Sequence, residues 1–187
     1  MGASLDRFAT EPLPEPSATS SSDVGLRELY RQHFAFVWRS LRALGVDRAL
    51  LDDAAQEVFL VVHRRQADFE GRSGVKTWLF GIAFRVAANF RRSARRHPTD
   101  PLSAELVTDS PDPEQRAARA EAARFVERFL DELDDPLRAA FTACVLEQMT
   151  GPEAAEALGV NVNTLTSRLR LARERFTAAL ARRGVKS

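Results

Sequence analysis

The sequence has very little of what proteins use for redox chemistry, metal binding or membrane anchoring. Among 187 residues there is one cysteine, Cys144, so no internal disulfide can form and the cytoplasm is the expected compartment. No stretch approaches the ~20 consecutive apolar residues of a membrane helix, and the N-terminus lacks the pattern of a secretory signal. His33, His63 and His97 are far apart and give no zinc-ligand spacing. We therefore expect neither a metal nor a cofactor.

The net charge is also small, formally +1, and taken alone it argues against a strongly basic nucleic-acid binder. Its distribution along the chain is uneven, however. Residues 84–97 contain five arginines and no acid, residues 98–115 contain five acids and no base, and residues 162–187 contain seven bases and one acid. Such asymmetry indicates two basic segments separated by an acidic one.

Apolar residues recur at helical spacing in two blocks, and no stretch alternates as a strand would. We therefore predict an all-α protein of two small helical domains. Proline-, serine- and acid-rich segments precede and separate the blocks. The predicted organisation is a disordered tail over 1–24, a first domain over 25–97, an acidic linker over 98–113 and a second domain over 114–187.

Helix boundaries can be placed from capping and breaking residues. In the first block we predict helices from Val24 to just before Gly45, over 48–63 and over 75–96, the last ended by His97-Pro98. In the second block the pattern predicts a helix from about 114, broken near Leu133, and another over 136–148.

The end of the second block has the layout of a DNA-binding helix-turn-helix. Thr150-Gly151-Pro152 predicts the start of a short helix, and Gly159 supplies the permissive backbone of a tight turn. A second helix then begins near Val162, with Leu165 placed to pack on the first helix. In such motifs the second helix enters the major groove with its N-terminal turn at the base edges.

This second helix carries suitable chemistry on its exposed side. Hydroxyl, amide and guanidinium groups can bond phosphates and base edges, and they are supplied by Asn163, Thr164, Thr166, Ser167, Arg168 and Arg170. The alternative interpretation is an ordinary amphipathic helix with a solvated polar face.

Three motifs in a fixed order point to a family. The first block reads Asp-Ala-Ala-Gln-Glu-Val-Phe over 53–59 and Thr-Trp-Leu-Phe-Gly-Ile-Ala over 77–83. The second block reads Asn-Thr-Leu-Thr-Ser-Arg-Leu-Arg-Leu-Ala-Arg over 163–173. Over about residues 26–181 the chain resembles bacterial RNA polymerase sigma factors of the extracytoplasmic-function class, which retain two conserved domains, region 2 and region 4.

The resemblance implies partners and assigns a role to each segment. The partners are core RNA polymerase, through its β′ clamp and β flap, promoter DNA, and an anti-sigma factor. The face expected to dock on the clamp consists of Asp52, Asp53, Gln56, Glu57 and Phe59. The residues expected at the melted −10 strand are Phe69, Arg72, Ser73, Lys76, Thr77, Trp78, Arg85, Asn89, Arg92, Arg95 and Arg96. The residues expected at the −35 element are Asn163, Thr164, Thr166, Ser167, Arg168, Arg170 and Arg173.

Some assignments leave an alternative open. Trp78 could stack on DNA, although its neighbours Leu79 and Ile82 favour packing in the core. Without the family pattern, the carboxylates of the second helix would be a solvated face.

Other functions compete with the sigma-factor interpretation, which involves no enzymatic activity. One is a helix-turn-helix regulator that acts without core polymerase. Another is a small metal-dependent hydrolase using Asp52, Asp53, Glu57 and His63, which is disfavoured because no second His–Asp cluster completes a site. The linker length suits two-site binding, since sixteen extended residues reach roughly 50 Å.

Overall fold

A computed structural model describes residues 21–65, 69, 74–96 and 113–184. All regular elements in these ranges are helices, as the apolar periodicity predicts. The predicted tail over 1–20 and most of the predicted linker lie outside the described residues, whereas residues 21–24 belong to the first helix. Within the described ranges, no helix combines the length and apolar character that crossing a membrane requires.

The first half of the molecule is a bundle of three helices. α1 spans Ser21–Ala43, α2 spans Leu51–Arg65 after a 3₁₀ turn over Arg48–Leu50, and α3 spans Val75–Arg96. All three helices contact one another. Their shared core is built from large apolar side chains with almost no exposed surface, among them Val37, Leu41, Leu44, Leu51, Val58, Val62, Leu79 and Phe80. Burying each such leucine or phenylalanine contributes about 1.5–3 kcal/mol, so this half has a substantial core of its own.

The second half contains α4 over Pro113–Asp131, α5 over Asp135–Phe141, α6 over Gly151–Leu158 and α7 over Val162–Arg182. Three rings, Phe129, Phe141 and Phe176, pack with centroids 5.0–5.3 Å apart and join α4, α5 and α7. Arg138 is also buried in this half, and its Nε donates to the Leu130 carbonyl at 2.8 Å. Its guanidinium therefore satisfies carbonyls at the end of α4 that have no partner within the helix.

The helix predicted over 136–148 is shorter than expected. α5 ends at Phe141, and the chain continues as a π-helical turn over Thr142–Leu146. Glu147 N closes the turn on the Thr142 carbonyl at 2.9 Å, and Gln148 then has a positive φ of 55°. Isolated π turns often lie next to functional contacts, and this one lies against the first half.

The two halves are packed together, which the predicted linker did not suggest. A single buried cluster continues from the three-helix bundle into Ala139, Ala140, Ala143, Ala154, Ala157 and Leu165 of the second half. We call this contact region the seam. Since each buried CH₂-sized group contributes ~0.8 kcal/mol, alanines give the seam much less apolar stabilisation per residue than the leucines and phenylalanines inside each half.

Candidate functional site

A groove runs along the outside of the first half, between α1 and α2. It has a volume of about 600 Å³ and is lined by Leu26, Tyr30, Phe34, Asp52, Gln56, Phe59, Leu60 and His63. The Tyr30 ring lies 5.0 Å from Phe34 and 4.6 Å from Phe59, centroid to centroid, and these rings form an aromatic wall. Tyr30 is 45% exposed and Leu60 is 47% exposed. Such a surface is suited to receiving apolar side chains of a partner.

Acidic and amide groups of α2 border this groove, as the helical spacing of Asp53, Gln56 and Glu57 predicts. Two of the acids have internal partners. Trp38 Nε1 donates to Asp52 Oδ1 at 3.2 Å, and Arg64 Nη2 lies 3.0 Å from Glu57 Oε1. These contacts orient the carboxylates while leaving them at the surface, and Asp53 and Gln56 are exposed beside them.

Sequence reasoning found the acids but missed the role of the groove's apolar residues. Leu26, Tyr30 and Phe34 belong to the apolar stripe of α1, and such a stripe predicts packing against neighbouring helices. In the structure their end of the stripe is covered only in part, because α2 packs beside it and leaves Tyr30 open. The sequence does indicate this exposed end. α1 has 23 residues and α2 has 15, so part of the apolar stripe of α1 extends past the helix that covers it.

α3 carries the residues predicted to meet the melted strand, and they lie in different environments. Lys76, Arg85, Asn89 and Arg92 are exposed along the helix. The Arg85 guanidinium donates to the Gly81 carbonyl at 3.1 Å, and Arg92 donates to the Asn89 side chain. Arg95 and Arg96 lie in the last turn of α3, and the described residues include nothing of their side chains. Arg72 and Ser73 lie outside the described residues.

Two of the residues predicted to contact the −10 strand, Thr77 and Trp78, are buried or half-buried. Thr77 is 3% exposed and belongs to the interior, so the prediction that its side chain touches DNA is wrong for this conformation. It faces inward because the first turn of α3 packs on the bundle. Trp78 is half-buried, and its ring lies 4.9 Å from that of Phe69, so the two rings form one partly exposed aromatic surface.

A histidine near the start of α3 adds no charge there. Burial, together with the neighbouring Lys76 ammonium, lowers the pKa of His33, so its imidazole is neutral at neutral pH. Among the described residues His33 and Lys76, the positive charge is therefore carried by Lys76.

The helix-turn-helix is formed by α6 and α7, and its caps explain its geometry. Thr150 is the N-cap of α6: Glu153 N donates to Thr150 Oγ1, and the Glu153 carboxylate accepts from Thr150 N at 2.8 Å. This reciprocal pair is a capping box. The Thr150 hydroxyl also donates to the Glu153 carboxylate, at 2.7 Å, and this bond together with that from Thr150 N lowers the pKa of Glu153. Gly159 ends α6 with a φ of 65°, and the Asn161 side chain caps α7 by accepting from Asn163 N at 2.7 Å.

The exposed face of α7 is polar over its first three turns. Asn163, Thr164, Thr166, Ser167, Arg170 and Arg173 are exposed and Arg168 is half-buried, while Leu165 and Ala172 face the interior. Thr166 Oγ1 donates to the Val162 carbonyl at 2.9 Å and Ser167 Oγ donates to the Asn163 carbonyl at 3.0 Å. Both hydroxyl oxygens are thus oriented outward as acceptors.

Most arginines of α7 and its C-terminal end are paired with acids, so fewer of them are available to a ligand than the sequence count suggests. Arg170 pairs with Glu174 at 2.5 Å, Arg175 with Asp134 at 3.1 Å, and Arg183 with Glu121. Within residues 162–184, Arg168 and Arg173 are the arginines without an ion pair. The positive potential of this helix is therefore concentrated in its first half, next to the hydroxyls and Asn163.

No group of three or more histidine, cysteine or acidic side chains among the described residues is arranged to hold a metal. The described residues include Asp52, Asp53, Glu57 and His63, the four residues of the hydrolase alternative, and these do not form such a group. Asp52 is bonded to Trp38 and Glu57 to Arg64, and these contacts account for both carboxylates.

Comparison with known proteins matches two regions of the chain to known sequence families. The sequence model for Sigma-70 region 2 matches residues 29–97, and the model for Sigma-70 region 4 matches residues 126–176. The RNA polymerase sigma factor NccH of Alcaligenes xylosoxydans xylosoxydans is 30% identical over 169 residues, covering 87% of this chain and 90% of that protein. The ECF RNA polymerase sigma factor SigM of Mycobacterium tuberculosis is 33% identical over 153 residues, covering 82% of this chain and 76% of that one.

Solved structures show a similar fold. One is CnrH in complex with the cytosolic domain of CnrY, with a TM-score of 0.65, 24% identity, and coverage of 87% of this chain and 92% of that one. Another is the sigma factor RpoE in complex with the anti-sigma factor NepR from Bartonella quintana, with a TM-score of 0.65, 21% identity, and coverage of 84% and 97%.

Proposed function

Because the chain belongs to the family of extracytoplasmic-function RNA polymerase sigma factors, we propose that its α1–α2 groove docks on core polymerase and that α3 and α7 contact promoter DNA. The protein is an alternative sigma factor, a subunit that directs transcription initiation. In this role it needs no chemistry of its own and no cofactor, and it acts in the cytoplasm, where polymerase works. The β′ clamp would meet the groove, and the β flap would meet the second half.

The observation that carries the proposal is the aromatic groove with its acidic border. A regulator that acts on DNA alone has no need for an open groove of about 600 Å³ with an aromatic wall beside its helices. Exposed Tyr30 and Leu60 can supply the buried contacts that dominate protein interfaces, and Asp53, Gln56 and Glu57 can select a partner helix carrying basic groups.

The DNA surfaces support the two promoter contacts. Lys76, Arg85 and Arg92 on α3 can hold the backbone of a melted strand, and the Phe69–Trp78 pair offers a ring surface to an unstacked base. On α7, Arg168 and Arg173 can bind phosphate or guanine, while Asn163 and the hydroxyls lie at the N-terminal turn that enters the groove.

An anti-sigma factor is part of the proposal. One structural neighbour is a sigma factor bound to the anti-sigma factor NepR, and we extend this kind of partner to the present chain. The exposed groove is the surface such an inhibitor would cover if it competes with core polymerase.

The decisive test is assembly with core polymerase, followed by promoter-specific run-off transcription on a start site mapped after overexpression. We expect the protein to bind core polymerase and to start transcripts at that site. Replacing Gln56 and Glu57 together by alanine should weaken core association and leave helix content unchanged.

Arg64→Ala is the matched control, because it removes the same Arg64–Glu57 ion pair but keeps both proposed docking groups. Full transcription by the Gln56→Ala, Glu57→Ala variant would overturn the docking assignment. Tight binding of the protein alone to its duplex site, with no effect of core polymerase, would favour the regulator that acts without core.

A further inference from the structure

We propose that Trp38 is a positioning residue of the docking groove, which holds the Asp52 carboxylate where it receives a basic side chain of core polymerase. This inference rests on the proposed function, because it names the chemistry that the groove requires at one of its ends. The contact between Trp38 and Asp52 belongs to the free protein, and it can be tested without polymerase.

Trp38 continues the row of side chains that forms one wall of the groove. Residues four apart form a ridge on the surface of a helix, and on α1 this row is Leu26, Tyr30, Phe34 and Trp38. From Leu26 to Trp38 the rise along the helix is about 18 Å, or roughly three turns. The first three residues of the row line the groove, whereas Trp38 does not. Trp38 therefore lies at the point where the row leaves the groove.

The opposite wall has the same spacing and runs in the opposite direction. On α2 the lining residues four apart are Asp52, Gln56 and Leu60. Trp38 contacts Asp52 at one end, and Tyr30 contacts Phe59 further along. The groove is thus aromatic along its length, and its end beside the turn between α1 and α2 carries a carboxylate.

A hydrogen bond joins the two walls at this end. Trp38 Nε1 donates to Asp52 Oδ1 at 3.2 Å, between residues fourteen apart in sequence. Asp52 is exposed and belongs to the first turn of α2. An exposed carboxylate without such a bond would lose more side-chain freedom when a partner binds it. The indole therefore orients Asp52 in advance of docking.

The indole is itself held in place. Trp38 is half-buried and packs against the core of the three-helix bundle. The Arg42 guanidinium lies over its ring, with Cζ 5.8 Å from the centroid, and the charge of Arg42 is paired with Glu127. Trp38 is thus a rigid support behind Asp52, which is the member of the pair that lines the groove.

Asp52 retains the capacity to bind a cation. An ionised carboxylate has two oxygens with about four lone pairs between them, and the indole occupies one. The ion pairs of the described residues do not include Asp52, whereas Glu57 is paired with Arg64. The complementary group is a lysine or arginine of the partner. A partner helix that fills the aromatic part must then place its base at this end, which fixes its direction.

The hydrogen bond is tested first in the free protein. The chain has two tryptophans, so ¹⁵N-labelled protein gives two indole N–H signals, and Trp38→Phe identifies the one from Trp38. We expect Asp52→Asn to shift this signal and to speed its exchange with solvent. Asp47→Asn is the matched control, because Asp47 is an exposed acid of the same turn that lies outside the groove. A Trp38 signal that does not respond to Asp52→Asn would overturn the proposal.

The role of the bond is tested by core-polymerase binding. Asp52→Asn and Trp38→Phe should each weaken binding by roughly tenfold, the loss expected for one charge-assisted hydrogen bond. The double variant should bind no more weakly than Asp52→Asn alone, because Trp38 acts through Asp52. Asp47→Asn should bind like the wild type. Additive losses would mean that Trp38 contributes by its own packing, which contradicts a positioning role.

Salt dependence separates the orientation of a charge from packing. The losses caused by Asp52→Asn and Trp38→Phe should both shrink as the salt concentration approaches 1 M, where the screening length falls to about 3 Å. A Trp38→Phe loss of equal size at low and high salt would indicate a packing defect and count against the proposal. If Trp38→Phe does not fold, Asp52→Asn at its exposed position provides the same comparison.

Failure of this inference differs from failure of the proposed function. If Tyr30→Ala with Leu60→Ala abolishes core binding while Asp52→Asn and Trp38→Phe bind normally, the groove is the docking surface but Asp52 is not its charged end. If none of these variants weakens core binding, the groove is not the docking surface, and both proposals are wrong.

Discussion

The groove on the first half and the exposed face of α7 are both proposed contact surfaces, but they differ in polarity. The groove is apolar, with open aromatic and leucine side chains and a border of acids. The α7 face has hydroxyls, an amide and arginines, and the hydroxyls of Thr166 and Ser167 donate to carbonyls of the helix backbone. The first suits burial against another protein, and the second suits water-accessible phosphate and base edges. Variants of each surface should therefore fail in different assays and respond differently to salt.

The largest effect is expected from removing the apolar wall of the groove. Tyr30→Ala combined with Leu60→Ala should cost at least about 2 kcal/mol of core-polymerase binding, or roughly 30-fold in affinity, because such exposed anchors dominate interfaces. Anisotropy titration of labelled protein with core polymerase measures this loss. Arg27→Ala, exposed on the same helix and outside the groove, is the control. If the Tyr30→Ala, Leu60→Ala variant also lost affinity for duplex DNA, the groove and the α7 face would not have separate functions.

Next in size is the loss of Arg168 on α7. Arg168→Ala should weaken −35 duplex binding by ~1–3 kcal/mol if the contact is bidentate, and should reduce the salt dependence if it neutralises a phosphate. Arg175→Ala is the matched control, since Arg175 is on the same helix but pairs with Asp134. Equal DNA affinity of wild type and Arg168→Ala would show that this face does not read the duplex. Core binding should be unchanged.

A smaller effect in the opposite direction is expected at Glu174. Glu174→Gln removes the partner of Arg170 and should strengthen DNA binding, since that guanidinium becomes available to phosphate. The lost helical ion pair is worth only ~0.3–0.5 kcal/mol, so stability should hardly change. DNA titrations at low and high salt measure the gain, which should disappear at high salt. A gain that persists at high salt would point to a contact other than phosphate.

The smallest effect concerns the cap of α6, which supports the α7 face without touching DNA. The pKa of Glu153 is lowered from its ordinary value of about 4.5 by hydrogen bonds from Thr150. Its stabilisation is therefore present above about pH 4.5 and is lost as the pH falls through the lower folded pKa. Thermal melts of wild type and Glu153→Gln should differ slightly at pH 7 and converge in acid. A difference that grows in acid would contradict the capping assignment.

Much of the fold was predictable because its signals are local. The bounds of α3, the cap at Thr150 and the turn at Gly159 all follow from residues within one helical turn of the boundary. The all-α fold class and the family resemblance are confirmed. The sequence-based assignments of residues to core polymerase and DNA stay predictions, with Thr77 withdrawn because its side chain is buried.

What could not be predicted depends on contacts distant in sequence. Arg183 meets Glu121 and Arg175 meets Asp134, so acids from earlier helices neutralise bases that a count along α7 treats as available. The seam was also missed, because alanines carry little periodic signal and Arg91 and Asp135 lie on opposite sides of the proline-rich segment. A segment of that composition predicts separation of domains, although it equally allows them to fold back on each other.

The seam also sets an order of events during synthesis. Each of its ion pairs joins a residue before 97 to one after 126, so none can form until the second half has been made. At ~5–20 residues per second, the remaining ~90 residues take on the order of 5–20 s to translate. During that interval the three-helix bundle can fold while its face toward the second half is still bare. Every new molecule therefore begins with its groove formed and its seam absent, for a time set by the speed of the ribosome.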